Sequence, residues 1–103
     1  MATLSTHVLD TAQGRPATGL RVELTSEGGG AVAAGVTDAD GRVAPLGGDL
    51  AVGSYTLRFD TGGYLGADAF YPEVVVTFAV SADEHYHVPL LLSPFGYSTY
   101  RGS

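Results

Sequence analysis

Apolar and polar residues alternate in short runs along most of this chain, and glycine, proline and aspartate break the runs apart. A period of two sends successive side chains to opposite faces of an extended strand. Strands are therefore predicted over Leu4 to Thr11, Leu20 to Ser26, Ala31 to Thr37, Tyr55 to Thr61, Glu73 to Val80, His85 to Leu92 and Tyr97 to Arg101, with a short edge strand over Val43 to Leu46. Seven or eight strands at roughly 8–12 residue spacing predict an all-β, two-sheet sandwich. A helical period surfaces once, over Gly62 to Phe70, where Tyr64, Leu65 and Ala69 share a face, and one short helix is predicted there. Two runs do not alternate. Val74-Val75-Val76-Thr77-Phe78 and Val88-Pro89-Leu90-Leu91-Leu92 are largely apolar on both faces, so something must cover the second face. With only two sheets available, another copy of the same chain is the expected cover.

Composition sharpens that expectation. A length of 103 residues suits one domain, 1–103, and no internal repeat or linker divides it. A fold of this size buries only about two-thirds of its unfolded surface. Yet 45% of the chain is hydrophobic and only 16% charged, which again points to an oligomer. The 11 acids outnumber the 5 bases, all arginines, for a net charge of -6. That balance argues against a nucleic acid or an anionic membrane as partner. The absence of cysteine and lysine excludes disulfides, thiolate nucleophiles, cysteine-based zinc and iron–sulfur sites, and Schiff bases. The first residues lack the basic-then-apolar pattern of a secretory signal, and no run of about 18 apolar residues occurs, so a soluble, cytoplasmic protein is expected.

The chemistry then falls to His7, His85, His87, the acids, the arginines and the hydroxyls. Alternation puts His85, His87, Pro89 and Leu91 on one face of their strand and Tyr86, Val88, Leu90 and Leu92 on the core face. On the first strand Ser5, His7 and Leu9 oppose Thr6, Val8 and Asp10. Two or three imidazoles thus converge on an outer surface, although a lone strand histidine is usually only solvated or packed. His85-x-His87 with a third histidine has the ligand count of a His₃ zinc site, but no acid accompanies the pair and no further motif supports it. Asp38-Ala-Asp-Gly-Arg42 opens like a calcium loop, yet the third acid and terminal glutamate are missing, and a tight turn is predicted. Gly28-Gly29-Gly30 lacks the continuation of a phosphate loop and reads as a hairpin end; no Gly-x-Ser-x-Gly elbow is present.

Several of these segments together resemble one family. They are Leu4-Ser-Thr-His-Val-Leu-Asp-Thr11 with Gly14-Arg-Pro16 and Gly19, Thr37-Asp-Ala-Asp-Gly-Arg42, His87-Val-Pro-Leu-Leu-Leu-Ser-Pro94, and Tyr100-Arg-Gly-Ser103. The chain is similar, essentially end to end, to the transthyretin-like proteins that hydrolyse 5-hydroxyisourate. The resemblance implies a transthyretin-type two-sheet sandwich with one short helix, assembled as a homotetramer, a dimer of dimers around a channel. It implies a catalytic trio of His7, Arg42 and His87, and substrate contacts from His7, Arg42, Tyr100, Arg101 and Ser103. His85 falls outside the motif and receives no role.

The implied reaction is hydrolysis of the cyclic amide of 5-hydroxyisourate, a step of urate degradation, to 2-oxo-4-hydroxy-4-carboxy-5-ureidoimidazoline. An imidazole, with an ordinary pKa of about 6.5, can take a proton from water, and a permanently charged arginine can hold the oxyanion. His87 is expected to activate the water and His7 to handle the second proton. This chemistry is self-consistent without a metal or other cofactor. A transthyretin-like small-molecule carrier without catalysis is the alternative, and the carrier branch shares Leu91 to Thr99 but lacks these histidines and the arginine. An immunoglobulin-like interaction module would predict no convergence of His7, Arg42 and His87.

Overall fold

Wherever the sequence alternates, the backbone is extended. The structure, a computed structural model, describes residues 2–103, so Met1 of the domain expected over 1–103 lies outside the described residues. In chain order the elements are β1 (Thr3–Asp10), β2 (Arg15–Pro16), β3 (Arg21–Ser26), β4 (Ala31–Val36), β5 (Arg42–Val43), β6 (Gly53–Phe59), α1 (Thr61–Leu65), a 3₁₀ turn (Gly66–Asp68), β7 (Val74–Val80), β8 (His85–Ser93) and β9 (Gly96–Thr99). One sheet runs β2-β1-β8-β9, with β5 also paired to β1, and the other runs β4-β3-β6-β7. This is the predicted sandwich. Among the described residues no helix is long and apolar enough to cross a membrane.

The two sheets meet through the side chains that alternation assigned inward. Leu4, Val8, Tyr86, Val88, Leu90 and Leu92 from the first sheet pack on Val22, Leu24, Tyr55, Leu57, Phe59, Val74 and Val80 from the second. Fully burying one such aliphatic or aromatic side chain contributes about 1.5–3 kcal/mol. Polar side chains on the inner face of β1 are hydrogen-bonded, as burial requires. Thr6 Oγ1 donates to the Val88 carbonyl at 2.6 Å, and the Asp10 carboxylate accepts from the Gln13 amide at 3.0 Å and the Tyr64 hydroxyl at 2.8 Å. Tyr64 comes from α1, whose start is capped by Asp60 accepting from the Gly63 amide at 3.0 Å. The single helix predicted over Gly62 to Phe70 is thus one turn and a half of α1 followed by the 3₁₀ turn.

Most strand bounds shift by one or two residues from the prediction, and three differences have an evident physical reason. The two-residue β2 is too short to show a period. The edge strand expected over Val43 to Leu46 is β5, one residue earlier and ended by Pro45, which has no N–H to give a ladder. The strand expected over Tyr97 to Arg101 is β9, ending at Thr99 opposite Leu90, because the next residue, Tyr100, would face Pro89. The doubly apolar runs resolve differently from each other. On β7, Val74 and Val80 are buried while Val75 is 44% exposed, so its outer face is open in the single chain. On β8, Pro89 is already buried and Leu91 half-buried.

Candidate active site

The site grows out of β1 and β8, which run parallel and pair Ser5 with His87 and His7 with Pro89. Paired residues share a face, so His7 and His87 sit on the outer face of the sheet, one strand and two residues apart. At ordinary strand spacing and rise that diagonal is about 8 Å. On the other side of β1, the antiparallel β5 sets Arg42 directly opposite His7. The three predicted catalytic residues therefore occupy three adjacent strands on one face.

A tight turn delivers Arg42, as predicted for Asp38 to Arg42. Asp38 Oδ1 accepts from the amides of Asp40 at 2.9 Å and Arg42 at 3.0 Å, the Asp38 amide donates to the Arg42 carbonyl at 3.0 Å, and its carbonyl accepts from the Gly41 amide at 2.9 Å. The Arg42 amide is the main reason the Asp38 carboxyl sits below its usual range, with smaller help from the Arg42 and His7 charges. Gly41 has φ 76°, and a Cβ there would strike the Val8 carbonyl oxygen, so only glycine fits. Arg42 itself is exposed. Arg21, Arg58 and Arg101 are ion-paired with Glu23, Glu73 and Glu84, whereas among the described residues Arg42 has no carboxylate within salt-bridge distance.

His87 is half-buried, with Nδ1 2.8 Å from Ser5 Oγ and no hydrogen-bond partner for Nε2 among the described residues. Burial first, and then the Arg42 charge, hold its pKa below the ordinary histidine value; a hydrogen bond to Ser5 acts the other way, and His7 and His85 add small depressions. The ring is accordingly held neutral at neutral pH, with a lone pair available. His7 is also half-buried, and its ring makes no hydrogen bond among the described residues.

The chain after β9 returns to this face. It rejoins β8 at a single bridge, the Gly102 amide donating to the His87 carbonyl at 2.8 Å. A Cβ on Gly102 would lie 2.5 Å from His87 Cδ2, so the tail backbone presses on the ring as only glycine allows. Of the predicted substrate contacts, Tyr100 and Ser103 are exposed. Arg101 is engaged elsewhere, with Nη2 2.6 Å from Glu84 Oε1 and its guanidinium 4.6 Å from the Tyr86 ring centre. His87, Tyr100 and Arg101 also line a cavity of about 280 Å³ that opens against Val76 and Phe78 of β7. Among the described residues no three His, Asp or Glu side chains come together as a metal-binding group. The sequence reading missed Thr3 and Ser5, whose hydroxyls bond the rings of His85 and His87; the signal was their shared face on β1.

Comparison with known proteins agrees with the fold. The sequence model of the HIUase/Transthyretin family matches residues 4–102. The 5-hydroxyisourate hydrolase of Caulobacter vibrioides is 48% identical over 115 residues, covering 100% of both chains. The structure of Klebsiella pneumoniae 5-hydroxyisourate hydrolase superposes with a TM-score of 0.92 at 41% identity, covering 100% of each chain. Sea bream transthyretin, solved in complex with thyroxine, superposes with a TM-score of 0.88 at 33% identity, covering 96% of this chain and 93% of its own.

Proposed function

The chain belongs to the HIUase/Transthyretin family, and from that premise we propose that it hydrolyses 5-hydroxyisourate on the face shared by His7, Arg42 and His87. Nε2 of neutral His87 takes a proton from water as the oxygen adds to the cyclic amide carbonyl. Arg42 holds the oxyanion that forms. The carbon–nitrogen bond then breaks as the ring nitrogen takes a proton, with His7 managing this second transfer, and the product is 2-oxo-4-hydroxy-4-carboxy-5-ureidoimidazoline. Positioned acid–base help contributes about 10²- to 10⁴-fold, and an oxyanion donor a comparable factor. Tyr100 and Ser103 close over the substrate. Arg101 joins them by exchanging Glu84 for substrate.

The observation that carries this reading is Arg42: a guanidinium with no carboxylate partner among the described residues, opposite one imidazole and depressing the pKa of another. A carrier of hydrophobic molecules has no need of that arrangement. The likeness to thyroxine-bound transthyretin supports carriage without turnover as a second reading. The decisive experiment follows the ultraviolet decay of freshly generated 5-hydroxyisourate. The protein accelerates it and Arg42→Ala loses about 10²- to 10³-fold; a wild-type rate equal to spontaneous decay, with tight thyroxine binding, favours the carrier.

The proposal includes a single transthyretin-like domain acting in the cytoplasm as a dimer of dimers. Both sheets end in an unpaired edge strand, β7 and β9, and edges left open invite pairing with another copy. Exposed Val75 and Tyr97 lie on those strands, and half-buried Leu9 and Leu91 flank the histidines. A second copy over that face supplies the water exclusion that strengthens charge interactions. Dilution to monomers then lowers activity, which sedimentation run beside the decay assay reads.

A further inference from the structure

His85 lies two residues before His87 on the same face, and the reaction as drawn gives it no task. Both of its ring nitrogens are nevertheless engaged. Nδ1 is 2.7 Å from Thr3 Oγ1 and Nε2 is 2.9 Å from Ser5 Oγ, and the same Ser5 oxygen is 2.8 Å from Nδ1 of His87. The parallel register, Thr3 opposite His85 and Ser5 opposite His87, builds this line, which runs from an exposed imidazole to a half-buried one.

A serine hydroxyl has one proton and spare lone pairs, so between two imidazoles it donates to one and accepts from the other. The tautomers of the two rings are thereby tied together. In one arrangement Nδ1–H of His87 donates to Ser5, Ser5 donates to Nε2 of His85, and Nδ1–H of His85 donates to Thr3. Nε2 of His87 then offers a lone pair, as a base must. With every donor reversed, Nε2 of His87 carries a proton, as an acid must.

We infer that His85, acting through Ser5, is a positioning residue for His87: the hydroxyl-bridged pair fixes the tautomer of His87 and carries its proton away from Arg42. The inference rests on the assignment of His87 as base. When Nε2 of His87 takes the proton of water, Nδ1–H passes to Ser5 Oγ and the serine proton passes to Nε2 of His85 in one concerted shift. No serine alkoxide forms. Water has become the attacking hydroxide, His87 and Ser5 are neutral again, and the single positive charge rests on His85. The reverse shift returns that proton to Nε2 of His87, from where His7 manages its transfer to the departing nitrogen, so atoms and charge balance.

The arrangement answers an electrostatic difficulty. Burial, Arg42 on β5 and His7 on β1 all oppose a cation on His87, whereas the His85 ring is exposed to water. In the tail that packs on His87, the Arg101 charge is paired with Glu84.

The test uses Ser5→Ala, which removes the bridge, Ser5→Thr, which keeps a hydroxyl on a strand, and His85→Phe, which keeps the ring's bulk without its nitrogens. Nitrogen-15 spectra of the resting protein report the His87 tautomer, and kinetics report kcat and KM separately. We expect one His87 tautomer, protonated at Nδ1, in the wild type and its loss in Ser5→Ala. We expect kcat to fall at least tenfold in Ser5→Ala and His85→Phe with KM within twofold, and Ser5→Thr to recover most of it. Unchanged spectra and kcat in Ser5→Ala overturn the inference. A wild type that hydrolyses nothing overturns the proposed function instead, and the spectra still judge the coupling of the two rings.

Discussion

Adding one methyl group at Gly102 tests how closely the tail and His87 are fitted. In Gly102→Ala the new Cβ falls 2.5 Å from His87 Cδ2 and 3.2 Å from Cγ, where ordinary carbon contacts lie near 3.5–4.0 Å. Gly102 does not have a positive φ, so alanine brings no backbone strain and the contact alone decides the outcome. Relief needs a displacement of roughly 1 Å, and neither side yields freely. The ring is held through Nδ1 at 2.8 Å from Ser5, and the tail through the Gly102 amide at 2.8 Å from the His87 carbonyl. A misplacement of about 1 Å at a reacting group costs about 10²-fold, equivalent to about 2.7 kcal/mol in the barrier. We therefore expect kcat/KM for 5-hydroxyisourate to fall about 100-fold while the unfolding free energy changes by no more than about 0.5 kcal/mol, since the site lies at the surface. The decay assay and denaturant unfolding read the two quantities. A variant retaining kcat/KM within threefold of wild type refutes the claim that the tail positions the ring.

Titration of His87 by NMR should give a pKa below the ordinary value of about 6.5, because burial and the Arg42 charge both disfavour its cation; Arg42→Gln should raise it, and an unmoved value refutes the coupling. Since the neutral form is the base, the acid limb of kcat/KM should fall at that same lowered pH, and a limb at or above the ordinary value would assign the base elsewhere. Asp38→Ala removes the acceptor shared by the Asp40 and Arg42 amides and should lower kcat/KM about tenfold, with Asp38→Asn, which keeps a side-chain oxygen there, closer to wild type in the same assay. Leu24→Ala, fully buried in the opposite sheet, should cost about 2–5 kcal/mol in denaturant unfolding and leave kcat of the folded protein unchanged.

The inward and outward faces of β1 and β8 were legible because alternation is a local property: Leu4, Val8, Tyr86, Val88, Leu90 and Leu92 are buried as their spacing requires. The same spacing put His7, His85 and His87 on the outer face, and the family resemblance alone singled out Arg42 and left His85 without a role. Pairing is not local. No period in either segment states that β1 and β8 run parallel or that Ser5 stands opposite His87, so the bridge from Ser5 to His85 stayed invisible although all its members had been put on the outer face. The tail shows the limit from the other side. Tyr97 to Arg101 has strand character, but Pro89 on the neighbouring strand withholds the donor that would have continued the ladder.

The hydroxyl that joins the two imidazoles lies 82 positions from His87 along the chain. Bringing such distant points together costs about 4 kcal/mol of loop entropy before any contact repays it. Activity consequently waits for β8: a growing chain on the ribosome, however well its earlier strands have paired, carries half of the machinery until His87 has been made and has folded back onto β1.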